Sequence, residues 1–81
     1  MKLNLEDFKK ANYKIKDSAL VTKQFNPNCN VDIFILEDEM ICTMYIYNSN
    51  ISYIEIPVDK LATIEEIEST IAGMYDAVVG V

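Results

Sequence analysis

Three runs of β-branched and aromatic residues, Val31–Glu37, Met40–Tyr47 and Ile51–Val58, are separated only by Asp38-Glu39 and Asn48-Ser49-Asn50. Breaks this short join strands that run antiparallel, because a parallel return needs a crossover of a dozen residues or more. The centre of the chain is therefore expected to be an antiparallel meander.

Turn length decides which side chains share a face. A two-residue turn at Asp38-Glu39 pairs Glu37 with Met40, Ile35 with Cys42 and Ile33 with Met44. A three-residue turn at Asn48–Asn50 pairs Tyr47 with Ile51, Met44 with Ile54 and Cys42 with Ile56, with Asn50 in the left-handed conformation that Asn tolerates. One face then collects Ile33, Ile35, Cys42, Met44, Ile46, Ile54, Ile56 and Val58. The other collects Asp32, Phe34, Leu36, Ile41, Thr43, Tyr45, Tyr47, Tyr53 and Glu55. A two-residue turn at Ser49-Asn50 would move Tyr53 and Glu55 to the first face. The three-residue turn is preferred because it buries no glutamate. Pro57, which has no N–H to give to a ladder, is expected to end the last strand.

The flanks read as helices. Asn4 is placed to cap a short helix over about residues 5–12, with Glu6 and Asp7 in its first turn and Leu5, Phe8 and Ala11 along one side. Tyr13 and Ile15 alternate with Lys14 and Lys16 as extended chain. Asp17-Ser18 is a turn, Ala19–Phe25 a strand and Asn26–Asn30 a loop; residues 13–25 are open to either one strand or two. Thr63-Ile64-Glu65-Glu66 is a capping box. Behind it Ile64, Ile67, Ile71, Met74 and Val78 form one apolar stripe, which predicts a helix over 63–79 lying on the apolar sheet face. The expected fold is α+β and two-layered: an antiparallel meander of three to four strands, a short N-terminal helix and a long C-terminal helix packed on one face. No repeat, linker or low-complexity segment interrupts it, so residues 1–81 form a single domain.

Composition excludes more than it selects. Thirteen acids oppose seven lysines, for a net charge of −6, and there is no His. The acidic balance argues against direct binding to nucleic acid or an anionic membrane. The lack of His removes the commonest general base and metal ligand. No apolar run is long enough to span a bilayer, and Met1–Glu6 has no secretory h-region, so a cytoplasmic protein is expected. Cys29 and Cys42 are too few for a zinc site. Cys42 is assigned to the core and Cys29 to the loop, where it could be exposed; the two could form one disulfide, but reduced thiols are the expectation. Charge is unevenly placed: residues 1–24 carry six lysines against three acids, whereas residues 25–81 carry one lysine against ten acids.

Four features could carry function. The outer sheet face brings together Phe34, Tyr45, Tyr47, Tyr53 and Glu55, and tyrosines of this kind suit an interface with a partner or with a second copy. The bland alternative is that the N-terminal helix or first strand covers them. Glu65, Glu68 and Asp76 share one stripe of the last helix, with Glu66 beside them, and Glu37, Asp38 and Glu39 form an acidic hairpin tip. Carboxylates spaced in this way can meet a basic groove in another protein, such as a nucleic-acid-binding effector, and speed the encounter. Equally they can be a solvated face that serves solubility. Carboxylate chemistry is disfavoured, because the acids are sequence neighbours and no nucleophile–base pair or glycine-rich phosphate loop is present, so an enzyme is not expected and no metal or cofactor is implied. Finally, Phe8, Lys9, Lys10, Tyr13, Lys14, Lys16 and Lys23 interleave aromatics with cations, the composition of a single-strand-binding surface, against which stands the overall acidity.

The segment Asn4-Leu5-Glu6-Asp7-Phe8, the strands within Val31–Val58 and the acidic helix from Thr63 give an element order that resembles small acidic inhibitors from phages and mobile elements, including some type II anti-CRISPR proteins. That resemblance implies a non-catalytic inhibitor whose carboxylates mimic nucleic-acid phosphates and occlude a nucleic-acid- or PAM-reading groove. The alternative function is a structural or assembly protein that homodimerises through the outer sheet face.

Overall fold

Hydrophobic periodicity organises the chain as an antiparallel sheet with both helices on one of its faces. The computed structural model describes residues 3–47, 52–59 and 62–79. In order the elements are α1 (Leu5–Lys10), β1 (Lys14–Asp17), β2 (Leu20–Asn26), β3 (Cys29–Ile35), β4 (Met40–Ile46), β5 (Tyr53–Val58) and α2 (Ile64–Val79). The sheet is a plain meander of five strands, β1-β2-β3-β4-β5. Five strands stand where three or four are expected, because Lys14–Asp17 turns tightly at Ser18-Ala19 and pairs with β2, Ile15 facing Val21.

Alternation along the strands sorts the residues as expected, although one register differs. β4 and β5 pair Met44 with Ile54 and Cys42 with Ile56. Between β3 and β4, however, Ile35 faces Met40 and Ile33 faces Cys42. The connection therefore holds four residues, Leu36–Glu39, closed by Leu36 N–H donating to the Glu39 carbonyl at 2.9 Å. The slip from the expected pairing is two residues, an even number, so every side chain keeps its face. The strands on either side of Pro27-Asn28 also run further into the Asn-rich loop than its breakers suggest, pairing Asn26 with Cys29. Cys29 is in consequence a buried strand residue rather than an exposed loop residue. Pro57 lies inside β5 instead of ending it. Ile46 N–H donates to the Ser52 carbonyl at 2.9 Å, and counting on from that bond by twos makes Ile41–Pro57 a pair without ladder bonds. The missing N–H of Pro57 points away from β4, and no ladder bond is lost. The turn expected at Asn48–Asn50 and the pairing of Ile51 lie outside the described residues.

Both helices are fixed by their ends. Asn4 Oδ1 accepts from Asp7 N–H at 3.0 Å while Asp7 Oδ2 accepts from Asn4 N–H at 2.9 Å, a reciprocal capping box. Thr63 and Glu66 do the same for α2, at 3.1 and 2.9 Å. The far end of α1 closes in a Schellman motif. Asn12 takes φ 71°. Asn12 N–H then donates to the Lys9 carbonyl, and Tyr13 N–H to the Phe8 carbonyl at 3.0 Å. The hydrophobic contact that accompanies this motif is the edge-to-face pair of Phe8 and Tyr13, with ring centroids 5.2 Å apart. The helix is thereby stopped at Lys10, short of the expected residue 12.

The inner face and the helices close one core. Phe8, Tyr13, Ile67 and Ile71 pack with Val21, Val31, Ile33, Cys42 and Met44 in a single buried cluster. A polar junction sits at its rim. Glu68 Oε2 of α2 accepts from Tyr13 Oη at 3.0 Å and from Lys23 Nζ of β2 at 2.9 Å. Lys23 Nζ also donates to the Ala11 carbonyl at 3.0 Å and lies over the rings of Tyr13 and Phe25. Lys23 points to the inner side, yet its charge is met on all sides, which is what makes a lysine tolerable there. The junction ties α1, β2 and α2 together. Glu68→Ala removes the acceptor from two donors and is expected to lower unfolding free energy by about 1–3 kcal/mol, measured by urea denaturation. Tyr13→Phe, which keeps the ring packing, should cost less. Equal losses would mean that the Tyr13–Glu68 hydrogen bond alone carries the contact and that the Lys23 ion pair adds nothing.

Candidate functional site

With both helices on the inner side, nothing described covers the outer face. Phe34, Tyr45, Tyr47 and Tyr53 are 41, 38, 49 and 52% exposed. The strand registers arrange this face in three rows running across the strands. An apolar row holds Leu20, Phe34, Ile41 and Pro57. A polar row holds Lys14, Thr22, Asp32, Thr43 and Glu55, with Lys16 Nζ 3.9 Å from the Asp32 carboxylate. A third row holds Gln24, Asn30, Tyr45 and Tyr53. The face thus grades from greasy at one end of the strands to amide and phenol at the other.

Local geometry fixes the tyrosines. Tyr45 and Tyr53 face each other across β4 and β5 in a pair without ladder bonds, the kind that brings side chains closest. Their rings stack with centroids 6.1 Å apart and planes 26° apart. Tyr53 Oη donates to Glu55 Oε2 at 3.2 Å. That hydrogen bond, and then the carboxylate's charge, hold the Tyr53 phenol above its usual pKa. Tyr47 Oη accepts from Asn30 Nδ2 at 3.1 Å. Asn30 Oδ1 is buried and has no donor among the described residues, a costly condition for an amide carbonyl.

The structure brings Phe34, Tyr45, Tyr47, Tyr53 and Glu55 onto one surface, while the acidic residues are dispersed. Glu65 and Asp76 are exposed on α2. Glu66 is exposed but serves the cap of its own helix. Glu68 turns inward to Tyr13 and Lys23, which takes the middle carboxylate out of the stripe. Glu37, Asp38 and Glu39 are exposed in the β3–β4 connection. The N-terminal basic and aromatic set is likewise divided. Phe8 and Tyr13 are in the core, with 0 and 3% exposure, and Lys23 is engaged at the junction, so these rings offer no platform for bases. Asn30, Lys14 and Lys16, together with Leu20, Thr22, Gln24 and Pro57, are residues of the outer face that sequence reasoning did not assign to it. The alternation of Lys14 and Lys16 about Ile15 was the available signal, but it becomes a face assignment only once β1 is known to pair.

Among the described residues no three acids or thiols converge to hold a metal ion. A surface depression of about 490 Å³ is lined by Asn12, Lys14, Thr22, Lys23, Gln24 and Asn30, with no carboxylate or thiol. Comparison of the chain with protein-family models, with curated proteins and with solved structures finds no match.

Both thiols are free and buried. Burial pushes Cys42 up to about 12, with the neighbouring Cys29 and Asp32 adding to it, and burial also raises Cys29. In the unfolded chain a thiol ionises near 9.0. Above that pH the unfolded chain releases a proton that the folded chain keeps. Stability is therefore full below pH 9 and falls as pH rises towards 12, by up to about 1.4 kcal/mol per pH unit for this thiol. Tyr13, raised by burial and by its bond to Glu68, acts in the same direction at higher pH. Urea midpoints taken from pH 7 to 10.5 should decline, and Cys42→Val should flatten the decline. A flat wild-type profile would show that the thiols are not held protonated.

Proposed function

We propose that the protein is a small non-catalytic binding module whose docking surface is the outer face of its sheet. The observation that carries this reading is the placement of both helices on one side, which leaves Phe34, Tyr45, Tyr47 and Tyr53 open to solvent on the other. A soluble chain of this size gains little from an uncovered face rich in tyrosine unless another surface covers it. The exposed acids Glu65 and Asp76 belong to the opposite layer, and Glu37, Asp38 and Glu39 to the end of the sheet. They remain accessible when the outer face is occupied.

The module then works by occlusion. With a net charge of −6, its acidic layer is drawn to a basic site on a partner protein, of the kind that reads nucleic acid, and blocks that site without chemistry. An inhibitor of the anti-CRISPR type is the particular form suggested by the size, charge and element order. Two sets of substitutions separate the surfaces in pull-downs from host lysate at low and moderate salt. Glu65→Gln with Asp76→Asn should lose the salt-sensitive partner while the fold is kept. Tyr45→Glu with Tyr53→Glu should lose whatever docks on the sheet. If the first pair keeps every partner at both salts, the acidic layer is only solubilising. If the second pair loses nothing, the outer face is not a docking surface.

A further inference from the structure

The polar row of the outer face has a direction. It begins with Lys14 on edge strand β1 and ends with Glu55 on edge strand β5. A surface charged in this way complements itself under one operation, a two-fold axis lying between two such faces and parallel to β3. That rotation turns the sheet over and lays β1 of one copy across β5 of the other, while β3 crosses β3. A two-fold axis in the same plane but perpendicular to the strands would instead set β1 on β1, stacking lysine on lysine and glutamate on glutamate.

Taking the outer face as the docking surface proposed above, we infer that its occupant is a second copy of this chain, packed face to face about a two-fold axis along β3 so that Lys14 of each copy meets Glu55 of the other. Each row then falls on itself. Phe34 meets its counterpart in the apolar row, and Leu20 meets Ile41. Asp32, at the centre of the polar row, comes near its counterpart, and the Lys16 of each chain, 3.9 Å from its own Asp32, offsets part of that repulsion. In the third row the two Asn30 amides meet at the axis.

Side-chain lengths suit the same arrangement. Packed sheets lie about 10 Å apart at their centre, and their twist makes the edges diverge. Short Asn30 and Asp32 side chains occupy two of the outward positions of the central strand, with Phe34 at its apolar end, and the long Lys14 and Glu55 reach across the widening edges. Five strands at about 4.8 Å spacing, each roughly 20 Å long, give a face of about 500 Å². Two copies bury on the order of 1,000 Å², near the lower bound for a specific interface, so the dimer should dissociate on dilution.

Charge reversal tests the geometry by analytical ultracentrifugation over a concentration series, with circular dichroism as the check on folding. Both sites are exposed on edge strands. Wild type should dimerise. Lys14→Glu alone and Glu55→Lys alone should each weaken self-association at least tenfold. An equimolar mixture of the two variants should form dimers again, because both junctions of the mixed pair bring opposite charges together. A wild-type chain that stays monomeric at every concentration overturns the inference and leaves the outer face for a foreign protein, judged by the loss of partners in Tyr45→Glu/Tyr53→Glu. A dimer indifferent to both reversals, or a mixture that fails to re-form, overturns the β1-over-β5 arrangement. A dimer that also survives Tyr45→Glu/Tyr53→Glu overturns the reading of the outer face together with it.

Discussion

A five-stranded sheet has two faces to cover, and this chain spends its apolar helix surface on one. The stripe of Ile64, Ile67, Ile71, Met74 and Val78 belongs to a single helix, and α1 is too short to cover a second layer. A helix of six residues does not hold by itself in water. It holds here because it is capped at both ends and because Phe8 is buried in the cluster that α2 also fills. Once α1 is drawn into the inner layer, the outer face is bare, and the functional reading follows from that distribution of material.

The Glu68–Lys23–Tyr13 junction shows how the layers are locked together. Lys23 faces inward on β2, and the Glu68 carboxylate of α2 supplies the counter-charge there beside the Ala11 carbonyl and the two rings. Glu68 in turn is withdrawn from the exposed acidic stripe. One carboxylate is thus moved from the surface charge to the architecture, which explains why the acidic face of α2 is thinner than its sequence spacing implies. The same junction uses Tyr13, which the Schellman turn at Asn12 has already aimed back at Phe8. Local turn chemistry at the end of α1 therefore sets a long-range contact to α2.

Much of this is legible in the sequence. Period-two alternation separated the two faces correctly even though the β3–β4 turn was assigned two residues too few, since an even slip preserves the face. The cap at Asn4 and the capping box at Thr63–Glu66 are legible, because a cap is a local exchange of bonds between residues three apart, while the return bond from Asp7 to Asn4 is added by the structure. What escaped depended on distance. The pairing of β1 needs β2 to be in place, and Lys14-Ile15-Lys16-Asp17 alone is too short and too polar to announce a strand. Cys29 appeared exposed because Asn-Pro-Asn reads as a long loop, whereas the structure turns within Pro27-Asn28. The inward turn of Glu68 could not be read from helix spacing, since its partners lie 45 and 55 residues away. Among the outer-face residues, the tyrosines were found by alternation, while Asn30 and Lys14 needed the register of β1–β3.

The two edges of the sheet narrow the ways in which such a chain can associate. β1 is four residues long and carries Lys14 and Lys16, and charged, short edges resist pairing with another strand. On β5 the bonding groups that face away from β4 belong to Tyr53, Glu55 and Pro57, and the last of these has no N–H to offer. Edge-to-edge addition of β5 to β5 would meet that gap and would also oppose two glutamates. β1 against β1 would oppose lysines. With both edges defended, the apolar and aromatic material left unburied is available only face-on, where side chains rather than backbone groups decide the partner. Recognition through side chains is also what allows a charge gradient from β1 to β5 to select an orientation, since a ladder of backbone bonds would be indifferent to it.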